Sequence, residues 1–257
     1  MDFVDIIGYA AIGLSSCFYL TLALPFFNVL RCKENFEYTP IAIINTVYVD
    51  SVAWYIYGTK LSVDQIILGN QIGACCTLAL IIIYLAFEIR KYLIDTILNA
   101  LILILGTLVL HKGLTMVVED TQVVGKICIG TKLLTFCIPM LMVYKVCKEK
   151  NYGVISLNNT IICCSACLAW GLFGKCLNDI NAMCANGLGV LLCLVQIAVY
   201  LTYKSKYPHY SGPAATIGIE TTTSNEDVKK DENSSINIDD DNQDKSAEKP
   251  VKIVGKF

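Results

Sequence analysis

Long apolar runs follow one another through this chain with little between them, and that constrains its fold more than any other feature. A helix of about 20 apolar residues crosses the roughly 30 Å hydrocarbon core of a bilayer. The runs lie near 5–30, 40–58, 64–87, 92–110, 122–146, 154–173 and 179–203. Lipid offers no partner to backbone N–H and C=O groups, so runs of this length must satisfy them internally as helices. The expected fold is therefore an all-α membrane protein with seven transmembrane helices. Composition agrees: 55% of the 257 residues are hydrophobic and 16% charged.

The remaining composition narrows the function classes. No basic stripe or nucleic-acid motif occurs, so no nucleic-acid partner is expected. The thirteen cysteines fall mostly inside apolar runs, where cysteine behaves as a small hydrophobe. Cys164 and Cys167 have the spacing of a zinc half-site, but no second half-site completes it, and His111 and His209 stand alone. No metal, cofactor or nucleophile–base pair is implied, so an enzyme is not expected. The first run lacks the basic approach and short length of a cleavable signal peptide.

Lysine and arginine set the expected orientation. Arg31, Lys33, Arg90, Lys91, Lys145, Lys148, Lys150, Lys204 and Lys206 fall at one membrane face; Lys60, Lys112, Lys126 and Lys175 fall at the other. The richer set belongs in the cytosol, with the N-terminus outside and the C-terminus inside. Residues 211–257 hold 6 basic and 10 acidic residues and few large apolar ones, so a disordered acidic cytosolic tail is expected. The sequon at Asn233 lies on the wrong side for glycosylation, and that at Asn158-Asn159-Thr160 lies inside a helix.

An internal repeat organises the helices. Ala53-Trp54-Tyr55-Ile56-Tyr57-Gly58 matches Ala169-Trp170-Gly171-Leu172-Phe173-Gly174 at an offset of 116. The same offset carries Asn70 onto Asn186, Gly73 onto Gly189 and Tyr84 onto Tyr200, and Pro25 falls on Pro139 at an offset of 114. A three-helix copy would be followed by an inverted one unless a helix intervened. The fourth helix restores the direction, giving two parallel three-helix repeats in a 3+1+3 arrangement. Expected boundaries are 1–90 for the first repeat, 91–121 for the linker helix and its loop, 122–206 for the second repeat and 207–257 for the tail. Carriers built this way hold solute near mid-membrane, between the repeats.

The ordered set of Trp, Asn, Pro, Gly and Tyr positions over residues 5–205 resembles the SWEET sugar transporters, the MtN3/saliva family. That resemblance implies passive uniport of mono- or disaccharides by alternating access. It implies a pocket formed by Trp54, Asn70, Trp170 and Asn186, lined also by the residues four before each tryptophan, Asp50 and Ala166. It implies an outer gate in which Tyr57 meets Asp179, and hinges at Pro25, Pro40 and Pro139. The fourth family proline is replaced by Ser156, and the usual Pro-Asn pairs are Gly69-Asn70 and Ala185-Asn186.

The residues support such a slot chemically. An amide offers one acceptor and two donors to sugar hydroxyls, and an indole covers a ring face while offering one N–H. The plainer alternative is that asparagine joins helices by hydrogen bonds, the reading preferred for Asn45 and Asn99. Asp50 and Lys132 lie inside apolar runs, where each charge costs at least about 2.5 kcal/mol on insertion scales. Lys132 and Thr135 share a helical face with Pro139, and Thr21 precedes Pro25 by one turn. Asp50 and Lys132 are expected to pair across the cavity and add polar contacts for sugar, with Thr21 nearby. The alternatives are proton coupling at Asp50 and outward snorkelling of Lys132.

The expectation is thus a multi-pass protein of the plasma membrane or an endomembrane. Its partners are a sugar and the lipid bilayer, and a homo-oligomer is compatible with the sequence. The runner-up is a proton-coupled carrier of another small solute, such as an amino acid, for which Asp50 is the supporting feature.

Overall fold

The computed structural model describes residues 2–32, 41–88, 93–117 and 119–208. They form seven α-helices: α1 Phe3–Cys32, α2 Ile41–Leu61, α3 Asp64–Glu88, α4 Leu93–Lys112, α5 Thr121–Glu149, α6 Leu157–Cys176 and α7 Ile180–Lys206. A π-helical turn, Gly113–Val117, extends α4, and a 3-10 turn, Tyr152–Val154, links α5 to α6. Each helix coincides with one of the seven apolar runs. Pro40 and the segment beyond Pro208 lie outside the described residues.

Around an apolar core that also holds polar side chains, the outer surface is apolar too. Buried side chains include Asp50, Ser51, Thr77, Thr160, Asn181, Asn186 and Gln196, while Leu101, Ile104, Leu105 and Leu108 of α4 and Leu191 and Leu194 of α7 are exposed. So extensive an aliphatic exterior around buried charged and amide groups is stable only where the surroundings are apolar, so this is an integral membrane protein. Among the described residues, five helices are long and apolar enough on their own to cross a bilayer: α1, α3, α5, α6 and α7. Helix α2 falls short because it carries Asn45, Asp50 and Ser51 on faces turned toward its neighbours. In α4 the described side chains give a shorter apolar stretch, Leu103–Met116.

The packing follows the repeat. α3 lies against α1 and α2, and α7 lies against α5 and α6. The units meet along two seams, α1 with α6 and α2 with α5, which the repeat interchanges. α4 packs on α2 and α3. The turns between the second and third helices of each unit have the same hydrogen bonds. Val63 N donates to Gly58 O at 3.1 Å, and Asp179 N to Gly174 O at 2.9 Å. Ser62 and Asn178 both hold left-handed φ, at 57° and 55°. Glycine is needed just before each turn, where a Cβ on Gly58 would lie 2.8 Å from Ile66 and one on Gly174 2.8 Å from Ala182.

One element of the repeat differs from the sequence-based alignment. Gly8 faces Gln65, and Gly125 faces Asn181. Gln65 donates to Asp5 at 2.8 Å, and Asn181 donates to Gln122 at 3.1 Å. Gly73 abuts Tyr19, and Gly189 abuts Phe136. All three correspondences set α1 against α5 at an offset of 117 rather than the 114 that aligns Pro25 with Pro139. Packing of small and amide residues fixes helix register here, so the two prolines sit about one turn apart in depth.

Candidate solute-binding cavity

A cavity runs between the two units, with about 130 Å³ open to the centres of water molecules. That is room for several waters, whose share of the liquid is roughly 30 Å³ each, and for part of a small polar solute. Its wall on α7 extends from Ala182 to Gln196, about 21 Å at 1.5 Å per residue. At one end the lining residues Ile66, Phe173 and Ala182 are buried. At the other, Ile43, Thr135, Pro139, Asn159 and Cys163 are half-exposed, so the cavity opens toward the C-terminal end of α5.

Both tryptophans and both repeat asparagines line this cavity. Asn70 donates to Ile66 O at 2.8 Å and Asn186 to Ala182 O at 2.9 Å. Each amide is therefore tied to the carbonyl one turn back and held at the same depth as its counterpart. Trp54 makes an edge contact with Tyr57 (centroids 5.4 Å apart), as Trp170 does with Phe173 (5.8 Å). A Cβ on Gly69 would lie 2.7 Å from the Trp170 ring. Gly69 thus admits the indole of the opposite unit, and its counterpart Ala185 shares a packed cluster with Trp54. Small residues stand at the two places where the opposing indole must seat.

The two indoles differ in one respect. Trp170 Nε1 donates to Ser15 Oγ at 2.7 Å, whereas Trp54 Nε1 is buried and has no partner among the described residues. A buried donor left unpaired costs about 1–3 kcal/mol, so a ligand oxygen that accepts from it would be favoured.

Asp50 and Lys132 do meet, with Nζ to Oδ2 at 2.5 Å, and Thr131 donates to Asp50 Oδ1 at 2.8 Å. The pair joins α2 to α5 at the cavity wall, and the Lys132 ammonium also lies 5.9 Å from the Trp54 ring centroid. Outward snorkelling of Lys132 is thereby ruled out. Beside them, Thr135 donates to Thr46 O at 3.2 Å. The repeat-related place in unit two holds Ala166, which lines the cavity without polar contact.

The buried end is closed by a hydrogen-bonded cluster. Tyr57 OH donates to Asp179 Oδ1 at 2.9 Å and accepts from Asn181 at 3.1 Å. Asp179 also caps α7, accepting from Asn181 N and Ala182 N. This joins α2 of one unit to α7 of the other. Nearer the open end, Thr21 donates to Asn159 at 2.5 Å, joining α1 to α6. Thr21 itself does not line the cavity; Asn159 does.

Several polar residues at the cavity or its closed end were not anticipated from sequence, among them Ser15, Tyr19, Ser51, Asn159, Thr160, Asn181 and Gln196. In the sequence Asn159 figures only as the middle residue of an unusable sequon. Ser15 sits opposite Lys132 at the 117 offset, and Asn181 opposite Gln65 at 116, so the repeat held both once α1 and α5 were in register. Pro139 lines the cavity inside α5, and Pro25 lies within α1. α2 begins directly after Pro40, and Ser156 is the N-cap of α6. Asn45 lines a small recess among α2, α3 and α4, with its Oδ1 unpartnered among the described residues; the side chain of Asn99 lies outside them.

Comparison with known proteins agrees with this architecture. Residues 122–207 match the MtN3_slv family, described as a sugar efflux transporter for intercellular exchange. The bidirectional sugar transporter SWEET15 of rice (Oryza sativa subsp. indica) is 26% identical over 210 residues, covering 76% of this chain and 64% of that protein. The chain therefore spans just under two thirds of that relative's length. The bidirectional sugar transporter NEC1 of Petunia hybrida is 24% identical over 264 residues, covering 100% and 96%. A eukaryotic SWEET transporter structure at 3.7 Å matches with a TM-score of 0.67 and 22% identity, over 79% of this chain and 100% of that one. The fold is thus shared.

Proposed function

We propose that this chain is a member of the MtN3/saliva, or SWEET, family and that it equilibrates mono- or disaccharides passively across a membrane by alternating access. The observation that carries this reading is the cavity between the units, lined by one tryptophan and one asparagine from each. The unpartnered Trp54 N–H and the paired charges beside it supply donors and acceptors for sugar hydroxyls, and the indole faces suit a pyranose ring.

In this reading Trp54, Asn70, Trp170 and Asn186 hold the sugar, Asp50 and Lys132 contact its hydroxyls, and Ala166 leaves space opposite. Thr21 acts through Asn159. The Tyr57–Asp179 cluster is the closed outer gate, and the open end faces the cytosol, in keeping with the lysine distribution and an external N-terminus. Pro25, Pro40 and Pro139 serve as hinges about which units 1–90 and 122–206 rock, with 91–121 as the linker and 207–257 as an acidic cytosolic tail. The plasma membrane is the proposed location. The contacts of Asp50 with Lys132 and Thr131 support a structural pair at the cavity wall over a proton-coupling carboxylate.

The test is uptake of radiolabelled glucose and sucrose into vesicles, comparing wild type with Asn186→Ala. Flux of either sugar, independent of pH and voltage and lost in the variant, supports the proposal. Absence of both fluxes in wild-type vesicles, or a current-generating flux, overturns it.

A further inference from the structure

Five lysines cluster where α5 and α7 end, and the transport cavity uses none of them. Lys145, Lys148 and Lys150 belong to the end of α5, Lys204 and Lys206 to that of α7, and all five are exposed. None has a carboxylate partner among the described residues; the ion pair recorded there is Lys132–Asp50. Lysines at helix C-termini commonly serve the helix dipole and the positive-inside bias, and that reading accounts for their number. It does not account for their convergence.

Lys150 and Lys206 place their ammonium groups over the same ring, that of Tyr207, at 5.4 and 5.5 Å from its centroid. Lys204 lies 5.8 Å from the Tyr200 centroid. The rings are themselves braced: Tyr152 meets Tyr200 edge-on with centroids 5.5 Å apart, and Tyr203 lies 5.7 Å from Tyr207. Lys150 is held in left-handed conformation (φ 58°) as the C-cap of α5, its N–H bonded to Val146 O. Two like charges on one tyrosine from two different helices repel unless an anion lies between them. Tyrosines mark the depth of lipid headgroups, and the membrane-length apolar helices α5 and α7 both end here.

We propose that the Lys150–Tyr207–Lys206 cluster, flanked by Lys204, is a binding site for a lipid headgroup carrying phosphomonoesters. A headgroup with several phosphate charges suits converging ammonium groups better than single-charge lipids do. Juxtamembrane basic clusters attract anionic lipid with about 1 kcal/mol per lysine. Because the 3-10 turn Tyr152–Val154 joins α5 to α6 beside this site, the bound headgroup would tie together the open ends of unit two.

The experiment uses the full-length protein in phosphatidylcholine vesicles with a fluorescent phosphatidylinositol bisphosphate in both leaflets, so it does not depend on orientation. Binding is read by energy transfer from a dye on the protein. Wild type should bind saturably, and Lys150→Gln/Lys206→Gln should bind roughly 30-fold more weakly, about 2 kcal/mol. Phosphatidylserine at matched charge should compete poorly. Lys145→Gln/Lys148→Gln carries the same charge change away from the shared ring and should lose clearly less. Equal loss in both double variants, or equal competition by phosphatidylserine, reduces the cluster to diffuse charge and overturns the proposal. Sugar flux in pure phosphatidylcholine, unchanged in Lys150→Gln/Lys206→Gln, shows that the variant is folded and separates this outcome from failure of the transport reading.

Discussion

The α2–α5 seam and the α1–α6 seam are related by the same internal repeat, yet they hold the two units together by different chemistry. The first carries the Asp50–Lys132 ion pair, the Thr131 hydroxyl on that carboxylate and the Thr135–Thr46 bond. The second carries neutral bonds, Trp170 to Ser15 and Thr21 to Asn159. In the repeat the ion pair falls on Ala166 and Ser15. Duplication has kept the backbone scaffold, the seating of the indoles and the depth of the asparagines, while the polar contacts have diverged. A solute in this cavity therefore meets charge on one side and neutral groups on the other, which gives it a preferred orientation that a symmetric slot would lack.

The most disruptive way to break this comparison is Lys132→Met, which leaves Asp50 buried without its cation. Stranding one member of a buried pair costs about 3–5 kcal/mol, and a detergent-solubilised thermal melt should fall accordingly. Asp50→Asn/Lys132→Met should recover most of that loss, because no uncompensated charge remains. If the double variant melts no higher than Lys132→Met, the pairing does not govern this seam.

Next in size are the asparagines, where the units are alike. Asn70→Ala and Asn186→Ala should each lower sugar flux about tenfold or more, the effect of losing a contact worth roughly 1.5 kcal/mol. Similar losses support equivalent roles; full activity in either variant would show that the equivalence in depth does not extend to binding.

A smaller effect is expected at the closed end. Tyr57→Phe gives unit one the aromatic residue that unit two has at Phe173 and removes the bonds to Asp179 and Asn181. Loss of about 1 kcal/mol should raise the outward-open population about fivefold. Spin labels carried by unnatural residues at Thr59 and Lys175 would report it as a longer distance component. The smallest effect belongs to Ser15→Ala, which frees the Trp170 N–H. About 0.5–1.5 kcal/mol of stability should be lost, well below the effect of Lys132→Met at the related position.

The helices were legible because the bilayer imposes a minimum apolar length on every span. The Trp and Asn pairs were legible because identical residues recur at one offset. The Asp50–Lys132 pair could be inferred because isolated charges in apolar runs must find partners. What could not be read was the register of α1 against α5. Proline is the conspicuous residue in both helices and suggests 114, whereas inconspicuous contacts, Gly8 on Gln65 and Gly125 on Asn181, fix 117. Asn159 was hidden for a related reason: its partner Thr21 is in the other unit and its repeat counterpart, Ile43, is apolar, so no pattern pointed to it.

The central claim is that the two units move relative to each other about the cavity, and the Tyr57–Asp179 contact offers the most direct access to it. Tyr57→Cys/Asp179→Cys places a thiol on α2 of one unit and on the N-cap of α7 of the other. Because the tyrosine ring separates the two backbones by more than a disulfide spans, the thiols are joined by a short bis-methanethiosulfonate, and sugar flux is measured before cross-linking, after it and after reduction, with each single variant as control for the native cysteines. Cross-linking of the double variant should stop flux, and reductant should restore it. Undiminished flux through the cross-linked protein would contradict alternating access by these units.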